Sequence, residues 1–195
     1  MPILNDPPKE SDWIDPDEVP RPVVTYGFAR TYVDGLELDL HRHTKGQIVL
    51  VQRGALSCEV EGGLWIVPPR SAVWIPGGAL HAVKATGVLE CYNAFVDPAV
   101  DARLPEVCCV VSVTSLLREL LVRSASLPLL YEEGGANSRL VMVLLDELAA
   151  AQVEDLHLPM PTDARLRRIV DLMMASPADR GTMEYRNIRV RPAGK

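Results

Sequence analysis

The sequence predicts a mainly β domain followed by helices. Three observations carry this: short runs of alternating apolar and polar residues fill the stretch from Val23 to Val113, Gly and Pro punctuate them, and beyond Val113 apolar residues recur at helical spacing. About nine short strands at close, regular intervals favour an antiparallel sandwich, jelly roll or small barrel over βαβ units. A length of 195 residues fits one compact domain with appendages, and 48% hydrophobic residues suffice for a core, which excludes global disorder.

Residues 1–22 hold six of the 16 prolines and carry six acids against two bases, with no apolar periodicity. They read as a loosely ordered acidic arm, pinned locally by Trp13. The strands expected next are VVTYGFARTYV, LELDLHRH, QIVLVQRG, ALSCEVEG, LWIVPP, SAVWIP, HAVKA, VLECYNAFV and VCCVVSV. Alternation is clearest where Leu36, Leu38 and Leu40 interleave with Glu37, Asp39 and His41. TSLLRELLVRSAS and NSRLVMVLLDELAAAQ then read as two helices, N-capped by Thr114 and Asn137 and paired as a hairpin over residues 114–152. The second is apolar on more than one side, which calls for two covering surfaces: the β domain and a second copy of the chain. After a short linker, residues 162–182 read as a third helix, capped by Thr162 or Asp163, striped by Leu166, Ile169, Val170 and Met173 and ended by Pro177. Residues 183–195 are too few and too polar to add packed structure.

The formal charge of −6 is unevenly placed: residues 1–22 sum to −4 and residues 165–195 to +5. So acidic a body does not suit nucleic acid, although its last segment has the opposite sign. The longest apolar runs, such as Leu140 to Leu145, fall far short of the roughly 18 residues of a membrane span, and no basic, then apolar, leader opens the chain. No membrane partner and a cytoplasmic location are expected. Cys58, Cys91, Cys108 and Cys109 form no C-x-x-C pair and read as reduced, mostly buried thiols.

One spacing carries chemistry. In Gly35-LELDL-His41-Arg42-His43-TKG-Gln47-IVLVQR-Gly54, two histidines two residues apart point to one face of a strand, and His81 in Pro76-Gly77-Gly78-Ala79-Leu80-His81 completes a three-nitrogen set. Imidazoles so arranged suit Zn, Ni, Fe or Cu, with Gln47 as a weak oxygen ligand; the same side chains suit a metal-free polar cavity. Trp65, Trp74, Tyr92 and Phe95 read either as lining of an effector pocket or as core.

This pattern resembles the cupin superfamily. Its first motif, G-x5-H-x-H-x3-E-x6-G, is matched at every spacing with Gln47 in place of Glu; its second, P-x-G-x2-H, is matched by Pro76, Gly78 and His81, while Arg70 and Ala85 stand where the family has Gly and Asn. The resemblance implies a cupin-type jelly-roll barrel over residues 23–113. From HRHTKGQIVLVQRG through VPPRSAVWIPGGALHAV the chain looks like the sensor domain of AraC-type transcription regulators, and the likeness continues to about residue 182. It implies an unknown small-molecule effector held near His41, His43, Gln47, Trp65, Trp74, His81 and Tyr92, a homodimer through residues 114–152, and no catalysis. It also implies that 162–182 is the first helix of a DNA-binding domain, with Arg165, Arg167 and Arg168 near phosphates or simply solvated. Such a domain needs about 100 residues. The expectation is therefore a regulator cut short inside it, with an aberrant basic tail at 183–195, binding DNA only when full length.

Two other functions compete. A small metal-dependent cupin enzyme would use the same three histidines with open coordination positions for substrate. An interaction module would form mixed dimers with a longer relative.

Overall fold

A computed structural model of the protein describes residues 14–32, 35–60, 63–67, 70–100, 103–154, 158–159, 161 and 163–175. Trp13, Thr162, Pro177 and the basic tail, on which expectations rest, lie outside the described residues. The chain divides into a unit ending at Pro159 and a second beginning at Met160, each described by itself.

The first unit is antiparallel throughout its sheet. Its elements are β1 (Val23–Tyr32), β2 (Leu36–His41), β3 (Gly46–Val60), β4 (Gly63–Val67), β5 (Ala72–Ile75), β6 (His81–Val96), β7 (Cys109–Val111), helices α1 (Ser115–Ser124) and α2 (Ala136–Ala149), and the two-residue strands β8 (Val153–Glu154) and β9 (Leu158–Pro159). Between Val23 and Val113 the described residues thus form seven strands, against the nine or so the sequence predicts. The difference lies at Gly54 and Gly87. Each has a positive φ, 85° and 76°, and was read as a turn; each instead lets a strand run on through a bend. QIVLVQRG and ALSCEVEG fuse into β3, and HAVKA and VLECYNAFV into β6, with register shifts around Arg53 where the two long strands pair. Gly54 has a second reason to be glycine, since a Cβ there would stand 2.7 Å from the Val88 carbonyl oxygen.

Because β3 and β6 bend, one nine-stranded network becomes two layers. The first half of β3 and the second half of β6 pair with β1, β5 and, beyond β5, β7 and β8; the other halves pair with β2, β4 and, beyond β4, β9. This is the jelly-roll architecture the motif spacing predicts. Val49, Val51, Ile75, Leu89 and Cys91 of one layer face Leu56, Cys58, Val60, Val67 and Val83 of the other and form the core between them.

Strand alternation sends the intervening residues the opposite way. Ile48, Leu50, Ala72, Trp74, Ala94 and Val96 pack under Leu117 and Leu121 of α1 and Val141, Leu144, Leu145 and Leu148 of α2. Burying large aliphatic side chains on this second face stabilises by about 1.5–3 kcal/mol each before entropy is charged against it. Thr114 caps α1, its hydroxyl accepting from the Leu117 N–H at 3.0 Å. Asn137 does not cap α2: the helix starts two residues earlier than that reading requires, with extended Gly135 at the cap and no side-chain acceptor. Met142 and Val143 of α2 and Leu116 of α1 face away from the core and are about half exposed.

Residues 14–22 differ from the loosely ordered arm expected of 1–22. Pro16 and Val19 are buried, the Arg21 guanidinium donates to the Tyr131 carbonyl at 2.8 Å, and the Tyr131 hydroxyl donates to the Val23 carbonyl at 3.2 Å. In the second unit, α3 (Ala164–Ala175) is capped by Asp163, whose carboxylate accepts from the N–H groups of Arg165 and Leu166. No described helix is long and apolar enough to cross a membrane.

Candidate functional site

The bend in the long strands leaves a cavity of about 680 Å³ between the layers. Leu36, Leu38, Val49, Leu56, Val83, Leu89 and Phe95 make most of its wall apolar, while His41, His43, Gln47, Asn93 and Tyr26 supply polar groups. Its carboxylates, Asp15, Glu37 and Asp39, are exposed to solvent.

Strand pairing assembles the histidines. His41 at the end of β2 lies directly opposite His81 at the start of β6, and the loop after β2 carries His43 beside both. Ring centroids are 4.3 Å apart for His41 and His81, 5.0 Å for His43 and His81 and 6.1 Å for His41 and His43. One nitrogen from each lies within 4.8 Å of the others.

All three rings are held by the same device. The Nδ1–H of His41 donates to the Asp39 carbonyl at 2.7 Å, that of His81 to the Ala79 carbonyl at 2.9 Å, and that of His43 to the Lys45 carbonyl. A carbonyl oxygen only accepts, so each Nδ1 carries the proton and, in the neutral ring, each Nε2 keeps its lone pair. The Nε2 of His81 is buried without a hydrogen-bond partner, an orphan that a metal ion would satisfy. Burial, opposed by the hydrogen bond to Ala79 and reinforced by His41 and His43, pushes His81 down to about 4 and keeps it neutral. The donor set therefore fits a divalent transition metal.

Gln47 lies beside the three imidazoles. It is buried at the start of β3, its Oε1 lies 3.2 Å from His43 Nε2, and its amide NH2 donates to Asn93 Oδ1 at 3.0 Å. Phe95 meets His43 edge to face at 5.0 Å and stacks on Tyr26 at 5.4 Å, closing this end of the cavity.

Three aromatic residues expected in the pocket are elsewhere. Trp74 and Tyr92 occupy the alternate positions of β5 and β6 and face the helices, where the Trp74 indole donates to the Pro105 carbonyl at 2.8 Å. Trp65 packs against the core between the layers without lining the cavity. Phe95, the fourth aromatic candidate, does line it. Sequence reasoning missed Asn93, Tyr26 and the loop lysine, Lys45, because no motif marks them. Of the four thiols, Cys58, Cys91 and Cys109 are buried and Cys108 partly so, with burial holding Cys58 at about 12 and Cys109 at about 11.

The segment before β1 covers the loop that carries His43. The Asp17 carboxylate accepts from the N–H groups of Thr44 at 2.6 Å and Lys45 at 3.1 Å, and the Lys45 ammonium is buried between the carbonyls of Pro16 and Val19. Ile14, Asp15 and Pro16 thereby form part of the cavity wall.

The chain is 36% identical over 150 residues to the HTH-type transcriptional regulator NimR of Escherichia coli K12, an alignment covering 77% of this chain and 55% of the relative. It therefore spans about half the length of that relative. No protein-family model matches. Among solved structures it is similar to an RmlC-like cupin from Shewanella frigidimarina, with 19% identity, 38% of this chain and 64% of that one covered and a TM-score of 0.32. It is also similar to KdgF from a Halomonas species, with 22% identity, 39% and 79% covered and a TM-score of 0.33.

Proposed function

We propose that this chain is the effector-sensing and dimerising part of an HTH-type transcriptional regulator of the AraC type. The observation that carries the reading is the 36% identity to NimR over 150 residues, a stretch long enough to require most of the barrel-and-helix unit. The cavity suits a small organic effector: its wall is apolar, and His41, His43 and Gln47 gather at its polar end, with the buried His81 clustered behind the two imidazoles. Zn, Ni, Fe or Cu held by those residues would supply a Lewis-acid anchor for the effector's polar group.

An effector changes a regulator only through different affinity for two arrangements of the protein. The segment at residues 14–19 forms both part of the cavity wall and a latch on the His43 loop, so a ligand that needs its space acts on it directly. Half-exposed Met142, Val143 and Leu116 supply the apolar surface for a homodimer through the helices. In the full-length regulator, Arg165, Arg167 and Arg168 on α3 would contribute to phosphate contact. This role places the protein in the cytoplasm.

The second reading, a metal-dependent cupin enzyme, is favoured by the three convergent imidazoles. Against it, the cavity's carboxylates are solvent-exposed, and with the imidazoles taken up as metal ligands the polar groups left beside them among the described residues are Tyr26, Gln47 and Asn93, none suited to proton transfer near neutral pH. A small-molecule screen by thermal shift separates the two. The sensor reading expects compounds that stabilise the wild type, fail to stabilise a cavity-filling Val49→Trp variant and are recovered chemically unchanged by mass spectrometry. Metal-dependent conversion of a stabilising compound, abolished by His41→Ala, would overturn it in favour of the enzyme.

A further inference from the structure

The pairing of Gln47 with Asn93 has a consequence for the histidine site. A glutamine amide has two unlike ends, and only its oxygen can bind a metal. Here the choice is made by Asn93. Its Oδ1 takes the Gln47 NH2 at 3.0 Å, and both side chains are buried. The carbonyl end is left facing His43, with Oε1 3.2 Å from Nε2.

That second contact is the informative one. His43 donates through Nδ1 to the Lys45 carbonyl, so the neutral ring has only a lone pair at Nε2. In the neutral ring two acceptors then face each other, a contact that either a second ring proton or a bound cation closes. The unpartnered Nε2 of His81 is gathered with His43 in the same cluster, and a cation there serves both nitrogens and the Gln47 oxygen at once. The Asn93 backbone is set mid-strand in β6, paired with Tyr26 of β1 on one side and Val49 of β3 on the other, and its own NH2 turns to the Cys91 sulfur at 4.0 Å, which leaves Oδ1 for Gln47.

We propose that Asn93 is the positioning residue that makes Gln47 an oxygen ligand, completing a four-atom set of His41, His43, His81 and Gln47 in which every donor is neutral. The proposal rests on the metal reading of the three histidines. A neutral set leaves the full charge of the ion uncompensated by the protein, so the bound ion attracts an anionic or strongly Lewis-basic group on whatever enters the cavity. Without an acceptor at position 93, the Gln47 amide turns over and donates its N–H to His43 Nε2. Two donor atoms are then lost together.

This gives the proposal a signature that general damage to the barrel does not share. Binding of Zn²⁺ and Co²⁺ to the metal-stripped full chain is measured by chelator competition, with the Co²⁺ visible spectrum as the report on geometry. Wild type is expected to bind one ion, and His81→Ala to lose it. Asn93→Leu should weaken binding by about 10- to 100-fold, the usual scale for residues that orient ligands. Asn93→Asp, which keeps the acceptor, should bind at least as tightly as wild type and give its Co²⁺ spectrum. Gln47→Ala should cost less than Asn93→Leu, and the double variant should recover to the Gln47→Ala level because the blocking amide is gone. Circular dichroism of the stripped proteins checks that each variant folds. If wild type binds tightly, His81→Ala abolishes binding, and Asn93→Leu binds like wild type or its effect adds to that of Gln47→Ala, the positioning role is wrong while the metal reading stands. If wild type binds neither ion, both fall.

Discussion

Asp17 and Lys45 fasten each other's main chains in opposite directions. The Asp17 carboxylate accepts the Lys45 N–H at 3.1 Å, while the Lys45 ammonium donates to the carbonyl of Pro16, the residue before Asp17, at 2.6 Å. Four hydrogen bonds, counting those to Thr44 and Val19, join residues 16–19 to the loop between His43 and Gln47.

Breaking this clasp should free the arm without unfolding the barrel. Asp17→Ala is expected to cost about 1 kcal/mol, since the carboxylate is exposed and its charged hydrogen bonds are partly screened. Hydrogen exchange at Thr44 and Lys45 should accelerate while that of Val49 and Leu50 stays slow. Equal acceleration at all four would show that the clasp is part of the global fold.

Acid should act on the same contact. Burial raises the Asp17 pKa, but the Thr44 and Lys45 N–H groups outweigh it and hold the carboxyl below its ordinary 3.8. A depressed carboxylate stabilises the fold above the unfolded value and loses that contribution as pH falls through the folded one. Exchange at Thr44 should therefore rise below about pH 4, after correction for intrinsic rates, and Asp17→Asn should remove the pH dependence.

His81 gives a second, higher window. Its folded pKa of about 4 lies below the ordinary 6.5, so between these values the unfolded chain gains a proton that the folded chain refuses. Stability of the metal-free protein should be level above about pH 6.5 and fall toward pH 4, by a total of about 3 kcal/mol. Urea midpoints at pH 7.5 and 4.5 measure this. His81→Gln should narrow the gap; an unchanged gap would assign the acid loss to other groups.

Arg70 occupies the position where the cupin motif carries glycine, and it has the backbone that glycine prefers, with φ at 73°. Its N–H still reaches the Val51 carbonyl at 2.6 Å. Arg70→Gly should relieve the left-handed strain and stabilise by about 0.5 kcal/mol, the strain being offset in part by the freer unfolded chain. A lower melting temperature for this variant would contradict the backbone argument.

The helices supply a test of association. Val143→Asp and Met142→Asp change residues about half exposed, so they should leave the melting temperature of the isolated subunit within about 0.5 kcal/mol of its original stability. Sedimentation should show dimers becoming monomers. Leu144→Ala, at a fully buried position of the same helix, should instead cost about 2–5 kcal/mol.

The jelly roll and the histidines were legible because both depend on short-range spacing. His41 and His43 are two residues apart, and the motif around Pro76 fixes the approach to His81. Asn93 was not legible, since its partner Gln47 is 46 residues away and the two meet only once the register of β3 against β6 is known. Trp74 and Tyr92 failed for a related reason: alternation says that neighbours face opposite ways, but not which way is inward. The sign depends on the helices, which cover one face of this sheet and make it a second interior. Gly54 and Gly87 misled because a positive φ serves a bend within a strand as well as a turn between strands.

That second interior has a mechanical side. Gln47 and Ile48 are consecutive, yet one belongs to the ligand end of the cavity and the other to the packing beneath α1 and α2. Asn93 and Ala94 repeat the arrangement on the neighbouring strand. The cavity and the helix packing thus lie on opposite sides of the same two ribbons, separated by a single peptide plane. A tilt of that plane moves both sides at once, so under the proposed sensing role a ligand that shifts Gln47 or Asn93 would reach the bed of the helices with no intervening element.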